Sequence, residues 1–383
     1  MSESDTVVLL SNVDPARPRC SASLFLCPLL FLIGCAGVLI AILLGFFATV
    51  QEGVPLRILS LNTWGINAVF GAKDKEFRME HIGQMVSNME YDIYLFQELW
   101  MRPDHDTIAK HLPKGYYMTA YDDLAQRPCP WWPFSPFWCC DGDDLPAGCS
   151  GLAVVSRFPF LEIEFTMFDV HGPTGDGEKL ARKGFGRVRI EPVENITVDV
   201  FVTHTCASDE VENKKARQAQ VKQLMKAVRT ASADFVLLGG DFNSDPRATN
   251  ETTYSILKQD MASSMEDFFK IITDWLIPKR ATYANPRNTY SGANGSIYPP
   301  GNSSKYPPVL YDYIWHKSSP GNLVLTNFFD IPFLTTDSIH FEPNRSKRDQ
   351  SAAENLEMAA DAFLSLSDHE AVSASLILYK QKQ

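Results

Sequence analysis

From about residue 56 onward, short aliphatic and aromatic runs alternate with longer polar stretches. The runs at 56–64 (LRILSLNTW), 92–100 (DIYLFQELW), 151–158 (GLAVVSRF), 184–191 (GFGRVRIE), 196–204 (ITVDVFVTH), 234–242 (DFVLLGGDF), 309–315 (VLYDYIW) and 369–378 (HEAVSASLIL) predict strands. Between them, 76–90 and 207–231 predict helices. In the second, Val211, Ala216, Ala219, Val221, Leu224 and Val228 recur at near-helical spacing among Lys, Arg, Gln and Glu. Four residues separate 184–191 from 196–204, the spacing of a hairpin, so the sheets mix parallel and antiparallel pairs. Strands interleaved with helices in this way predict an α/β fold, two mixed sheets packed together with helices outside. The body, 51–383, is read as one domain of roughly 330 residues.

The amino-terminal pattern differs. Residues 24–50 carry no charge, and as a helix they would extend ~40 Å, enough for a tilted bilayer crossing. The run exceeds the apolar region of a cleaved signal peptide, about 7–15 residues, and no small-residue cleavage site follows it. It is read as a retained signal anchor. Arg17 and Arg19 before the span, against Glu52 and Arg57 after it, place 1–23 in the cytosol and the body on the extracellular or lumenal side, a single-pass type II arrangement. Sequons at Asn195, Asn250, Asn294, Asn302 and Asn344 point the same way and predict a glycoprotein. So do Cys129, Cys139, Cys140 and Cys149, whose crowding suits one or two disulfides better than a zinc site. Cys206 is left over as a buried thiol.

Long loops are expected at 127–149 and 281–308, with a third irregular region at 336–367 that ends in a short helix around 352–366. Within the first, Trp131, Trp132, Phe134, Phe137 and Trp138 suit either docking on a lipid surface or a disulfide-stapled minicore. The 383-residue chain has a net charge of −11, which disfavours a nucleic-acid partner.

Polar side chains close several of the apolar runs. Asn62 follows ILSL, Glu98 follows YLFQ, His204 closes VDVFVT, and Asp241 and Asn243 close VLLGG. Asp312 interrupts VLYDYIW, and Asp368-His369 opens the last run. Each alone has an ordinary account as a turn or cap residue. Together they set four carboxylates against apolar surroundings, where an unpaired carboxylate costs several kcal/mol. Hard oxygen donors with few histidines and no thiolate suit Mg²⁺, Mn²⁺ or Ca²⁺ rather than zinc. A metal-assisted phosphoryl hydrolase is the expected class.

These residues lie in motifs: Leu61-Asn62-Thr63-Trp64, Phe96-Gln97-Glu98-Leu99-Trp100, Gly151 to Pro159, Lys183-Gly184, Thr203-His204-Thr205, Gly239-Gly240-Asp241-Phe242-Asn243, Tyr311-Asp312-Tyr313-Ile314 and Ser367-Asp368-His369. The set, in this order over residues 56–378, resembles the endonuclease/exonuclease/phosphatase (DNase I-like) superfamily, and within it the neutral magnesium-dependent sphingomyelinases. The resemblance implies a four-layer α/β sandwich with one cleft. It implies Glu98 as principal magnesium ligand with Asn62 beside it, and Asp368 near the ion orienting the site. Asp241 and Asn243 would position water and phosphate. His369 would be the base, with Asp312 fixing its tautomer, and His204 and Lys183 would hold the phosphate. Some relatives carry an Asp five residues before the lysine, where this chain has Glu178. The expected reaction is hydrolysis of sphingomyelin in a bilayer to ceramide and phosphocholine, with activity falling as pH drops through about 6.5 or somewhat above. The alternatives are a phospholipase C-type hydrolase of lysophospholipids or other phosphodiesters, and a catalytically silent tethered domain.

Overall fold

The structure, a computed structural model, describes residues 53–66, 72–124, 150–173, 178, 181–248, 252–264, 282, 309–332, 334 and 366–381. The span 24–50, the insert 127–149, the loop 281–308 apart from Thr282, and residues 335–365 lie outside them. Among the described residues no helix is long and apolar enough to cross a membrane. Of the five sequon asparagines, Asn195 is among the described residues, exposed at a hairpin turn. Cys206 is a buried free thiol.

The described elements run β1 (Val54–Asn62), α1 (Lys75–Asn88), β2 (Ile93–Gln97), α2 (Arg102–Lys110), β3 (Tyr117–Met118), β4 (Ala153–Ser156), β5 (Glu162–Met167), β6 (Gly184–Val193) and β7 (Ile196–His204). They continue with α3 (Val211–Thr230), β8 (Phe235–Asp241), α4 (Thr253–Leu257), β9 (Ala262–Ser263), β10 (Asp312–Ser318), β11 (Leu323–Asp330) and β12 (Val372–Tyr379). Two six-stranded mixed sheets result, ordered β11-β12-β1-β2-β4-β3 and β5-β6-β7-β8-β10-β9. Each has a parallel pair at its centre, β1 with β2 and β7 with β8, flanked by antiparallel partners β12 and β10.

Alternation along β1 shows how the layers form. Leu56 and Ile58 join a core that also contains Val198, Val200 and Leu237 of the other sheet. Leu59 and Leu61, on the opposite face, pack with Met79, Ile82, Met85 and Val86 of α1. Each such side chain contributes ~1.5–3 kcal/mol by leaving water. On the second sheet α3 buries Ala216, Val221, Leu224, Met225 and Val228, the helical stripe read from the sequence. The helix begins at Val211 rather than 207, because the preceding turn passes through Ser208 at φ +71°.

The same alternation carries polar groups into the space between the sheets. Ser60 and Asn62 follow Leu56 and Ile58 on one face of β1, and Ser60 meets Gln97 of β2 through a 3.2 Å bond from Gln97 Nε2. Close approach there needs small residues. A Cβ on Gly239 would lie 2.5 Å from Leu95 Cδ1, and one on Gly240, whose φ is +151°, would lie 2.1 Å from Thr203 O. Gly239 thus lets Leu95 of the facing sheet pack against β8, and Gly240 lets β8 lie close to Thr203 of the neighbouring β7.

Candidate functional site

Both parallel pairs end in polar side chains at one edge of the sandwich. Asn62 closes β1 and Glu98 follows β2. His204 closes β7 and pairs in register with Asp241 at the end of β8, and Asp241 in turn faces Asp312 at the start of β10. His369 precedes β12. One local device recurs in three of these turns: a side-chain oxygen accepts the N–H two residues on. Asn62 Oδ1 takes Trp64 N at 2.9 Å, Asp241 Oδ1 takes Asn243 N at 2.8 Å, and Ser367 Oγ takes His369 N at 3.2 Å. Trp64, Glu98 and Asn243 are held at φ +49°, +57° and +46°. Such backbone costs of order 1–3 kcal/mol per residue and persists where surrounding bonds over-determine it.

Two bonds join the sheets across the site. Asn62 Nδ2 donates to Glu98 Oε1 and to Asp241 Oδ2, both at 3.0 Å, so one amide links the end of β1 to the end of β8. His369 Nδ1 lies 2.9 Å from Asp312 Oδ2, which leaves Nε2 facing Asp241 Oδ2 at 3.7 Å. A third cluster adjoins them. Lys183 Nζ donates to Glu178 Oε1 at 2.9 Å and to Thr205 O at 3.0 Å, and sits 3.3 Å from His204 Nε2. His204 Nε2 in turn lies 3.9 Å from Glu98 Oε1 and 3.7 Å from Asp241 Oδ2. Asn243 Nδ2 donates to Thr205 O at 3.2 Å. Asn62, Glu98, Lys183, His204, Asp241, Asn243, Asp312 and His369 thus form one connected set. Asp368, next to His369, completes it through its charge interactions with His369 and Glu98.

Electrostatics divide the two histidines. Burial lowers the pKa of His204, and the charges of Lys183 and His369 lower it further, so its ring is neutral and accepts from the ammonium. Burial acts in the same direction on His369, yet the carboxylates of Asp312, Asp241 and Asp368 outweigh it and hold that pKa well above the usual value. Among the acids, burial followed by the charge of Asp312 pushes Asp241 up to about 6. Burial raises Asp368 to about 7, with the charge of Glu98 adding to the rise.

Burial first, and neighbouring carboxylates second, make ionisation of these acids costly, and a bound cation would relieve that cost. Glu98, His204 and Asp241 offer donor atoms within 4.8 Å of one another, and so do Asp241, Asp312 and His369. Asp312 Oδ1 is buried without a hydrogen-bond partner. The carboxylate and amide oxygens of Glu98, Asn62 and Asp241 are hard donors, and the set fits a divalent metal ion.

Thr205 was not picked out individually by sequence reasoning, although it sat inside the motif Thr203-His204-Thr205. Its carbonyl receives both Lys183 and Asn243, and its hydroxyl donates to Phe242 O at 2.7 Å. The signal was a hydroxyl residue immediately after a polar strand end, the same place that Thr63 holds after Asn62.

Known proteins resemble this chain in sequence and in fold. The chain is 24% identical over 336 residues to human sphingomyelin phosphodiesterase 2, covering 84% of this chain and 64% of that protein. It is 24% identical over 209 residues to an inositol phosphosphingolipids phospholipase C of Schizosaccharomyces pombe, covering 52% and 43%. The chain therefore spans about two fifths to two thirds of the length of these curated relatives. Sphingomyelinase C from Streptomyces griseocarneus has a similar fold, with TM-score 0.52, 19% identity and coverage of 84% of this chain and 99% of that one. Staphylococcus aureus beta toxin, in a crystal structure with bound magnesium ions, gives 0.52 and 17% identity, covering 87% and 100%. The fold is also that of D. rerio TDP2 complexed with single-strand DNA product, at TM-score 0.52 and 14% identity, covering 84% and 98%. The family match extends over residues 59–369, from the middle of β1 to the histidine before β12, and this chain belongs to the endonuclease/exonuclease/phosphatase family.

Proposed function

We propose that this protein is a membrane-anchored phosphodiesterase that hydrolyses sphingomyelin to ceramide and phosphocholine, using Mg²⁺ and His369 as general base. The observation that carries the reading is the 2.9 Å Asp312–His369 pair, which aims the second ring nitrogen of His369 into the cluster of Asp241, Asn62 and Glu98. Asp312 holds the proton on Nδ1, and a cation bound among the carboxylates that raise the His369 pKa would lower it again, so that Nε2 loses its proton and becomes the atom that accepts one from water. The water oxygen forms the new bond to phosphorus as the phosphorus–oxygen bond to ceramide breaks, and the ceramide oxygen takes up a proton. Asp241 and Asn243 orient the water and the phosphate oxygens. Lys183, with its ammonium against a neutral His204, opposes the charge that gathers on the phosphate. Glu98 and Asn62 would hold the magnesium ion, with Asp368 beside them, and the ion supplies charge neutralisation on the phosphoryl oxygens when bound.

Similarity to named sphingomyelin phosphodiesterases supports the lipid substrate. The uncharged span 24–50 supports anchoring beside an insoluble substrate, with the body extracellular or lumenal. A net charge of −11 favours a lipid over a nucleic acid in this fold. The test is head-group release by the full chain from vesicles of sphingomyelin, phosphatidylcholine, lysophosphatidylcholine and inositol phosphosphingolipid, with single-stranded DNA as a further substrate. Preference for sphingomyelin supports the proposal, and preference for any other substrate replaces it.

A further inference from the structure

Arg78 lies on α1 with none of its surface exposed. Burying a guanidinium is costly unless its donors are met, and here they are met by carbonyls from widely separated parts of the chain. Nη1 donates to Thr63 O at 2.7 Å and to Leu366 O at 3.2 Å, Nη2 to Trp64 O at 2.8 Å, and Nε to Lys73 O at 2.8 Å. The group also rests 4.8 Å from the centre of the Trp64 ring.

The positions of these carbonyls give the arrangement its meaning. Thr63 and Trp64 directly follow Asn62. Thr63 N and Gly65 N bind Gln97 O and Glu98 O at 2.8 and 3.0 Å, so the turn that Arg78 grips also fixes the backbone of Glu98. Leu366 lies just before Ser367-Asp368-His369. One side chain therefore ties the turn carrying the ion-binding residues to the segment carrying the base. We infer that Arg78 is a positioning residue that sets the spacing between Asn62 and Glu98 on one side and His369 on the other. A planar fork with five donors can serve carbonyls on separate segments at once, and an ammonium cannot reproduce that geometry. The other fully buried arginine among the described residues, Arg217 of α3, binds Cys206 O and Ser208 O in the turn after His204, at 2.8 and 2.9 Å, the corresponding place in the second half.

The inference deepens the hydrolase reading and rests on it for turnover, but not for ion binding. The experiment compares the full chain with Arg78→Lys, Arg78→Met and Met85→Ala. Met85 is buried on the same helix and belongs to the core rather than the site. Tm, kcat, KM for sphingomyelin, and Mn²⁺ affinity by paramagnetic resonance without substrate are measured. Arg78→Lys is expected to lower kcat about 100-fold with KM within roughly threefold. It is expected to weaken Mn²⁺ binding about tenfold. Arg78→Met should fall lower still, so that lysine restores part of the function. Equal kcat and equal Mn²⁺ affinity in Arg78→Lys and Met85→Ala, at matched Tm, would overturn the inference. If both Arg78 variants fail to fold, Trp64→Leu removes the ring beneath the guanidinium and should lower kcat about tenfold, and an unchanged kcat would overturn it equally. A wild-type protein that binds Mn²⁺ but turns over no sphingomyelin defeats the proposed function while leaving the Mn²⁺ comparison to decide the role of Arg78.

Discussion

The β1–α1–β2 unit and the β7–α3–β8 unit meet at the site with nearly the same backbone and opposite chemistry. Each is a parallel pair with a helical crossover. After each first strand a threonine N–H bonds the end of the second, Thr63 to Gln97 O at 2.8 Å and Thr205 to Asp241 O at 3.0 Å. Each helix sends a buried arginine back to the turn that follows the unit's first strand. The first unit ends in Asn62 and Glu98, oxygen groups suited to a cation. The second ends in His204, Asp241 and Asn243, with Lys183 beside them on β6's approach, groups suited to holding a phosphate and a water. In the proposed mechanism, identity at a few strand ends, and not the frame, divides the two jobs, with Asp241 placed to serve both the ion and the water. Asn62 to Asp241 and His369 to Asp312 then stitch the jobs together across the sheets.

Removing a cross-sheet bond at the chemical step gives the largest expected effect. His369→Ala should lower turnover by about 10⁴-fold, and Asp312→Asn by about 10²-fold, each with Tm near that of the wild type. Retained turnover in His369→Ala would show that the base lies elsewhere. A pair of variants next separates the units. Glu98→Gln should weaken Mg²⁺ binding by at least about tenfold in calorimetry, whereas Lys183→Met should leave Mg²⁺ binding intact and lower kcat/KM by about 10²-fold. If both variants lose the ion equally, the division of labour is wrong.

The frame itself is tested by Gly240→Ala. The added carbon meets Thr203 O, so a loss of ~2–3 kcal/mol in denaturant unfolding is expected. The smallest effect is electrostatic. Asp241 and Asp368 are raised to about 6 and about 7 from 3.8, so between those values the folded protein holds protons that the unfolded chain has released. The contribution of these two carboxylates to stability without the ion should therefore fall as pH rises from about 4 through about 7, opposed by buried His204, whose lowered pKa favours the folded state as pH rises toward 6.5. A divalent ion stabilises the ionised carboxylates, so its Tm gain should be greater at about pH 8 than at about pH 5. An equal gain at both values would mean that these carboxylates do not face the ion.

Much of this frame was legible because buried strands must be apolar and their ends must not be. The run ITVDVFVTH matches β7 residue for residue, and the hairpin with β6 followed from the four-residue gap. Edge strands were less visible. In β5, Glu162, Glu164 and Thr166 alternate with half-buried partners, and β11 carries exposed Leu325 and Phe328, so neither shows the dense apolar signal of a central strand. Helix α2 was hidden by its Pro103 and its polar sequence. At the site, the strand-end residues stood out as polar groups after apolar runs. Arg78 did not, because among Lys, Glu and Arg on a short helix a charged residue is expected to face water, and only the fold supplies the carbonyls that bury it. The contact of Lys183 with His204 follows from the pairing of β6 with β7, whereas the bonds of Lys183 to Glu178 and Thr205 O needed the fold to reveal them.

The most direct measurement of the central claim is phosphocholine release from sphingomyelin vesicles by the full chain as Mg²⁺ is titrated, for wild type, Glu98→Gln and His369→Ala. Turnover should rise saturably with Mg²⁺ in the wild type, require higher Mg²⁺ in Glu98→Gln, and stay near background at every concentration in His369→Ala. Turnover that persists in chelator, or that is equal in all three proteins, would contradict a single site that joins an ion at Glu98 to a base at His369.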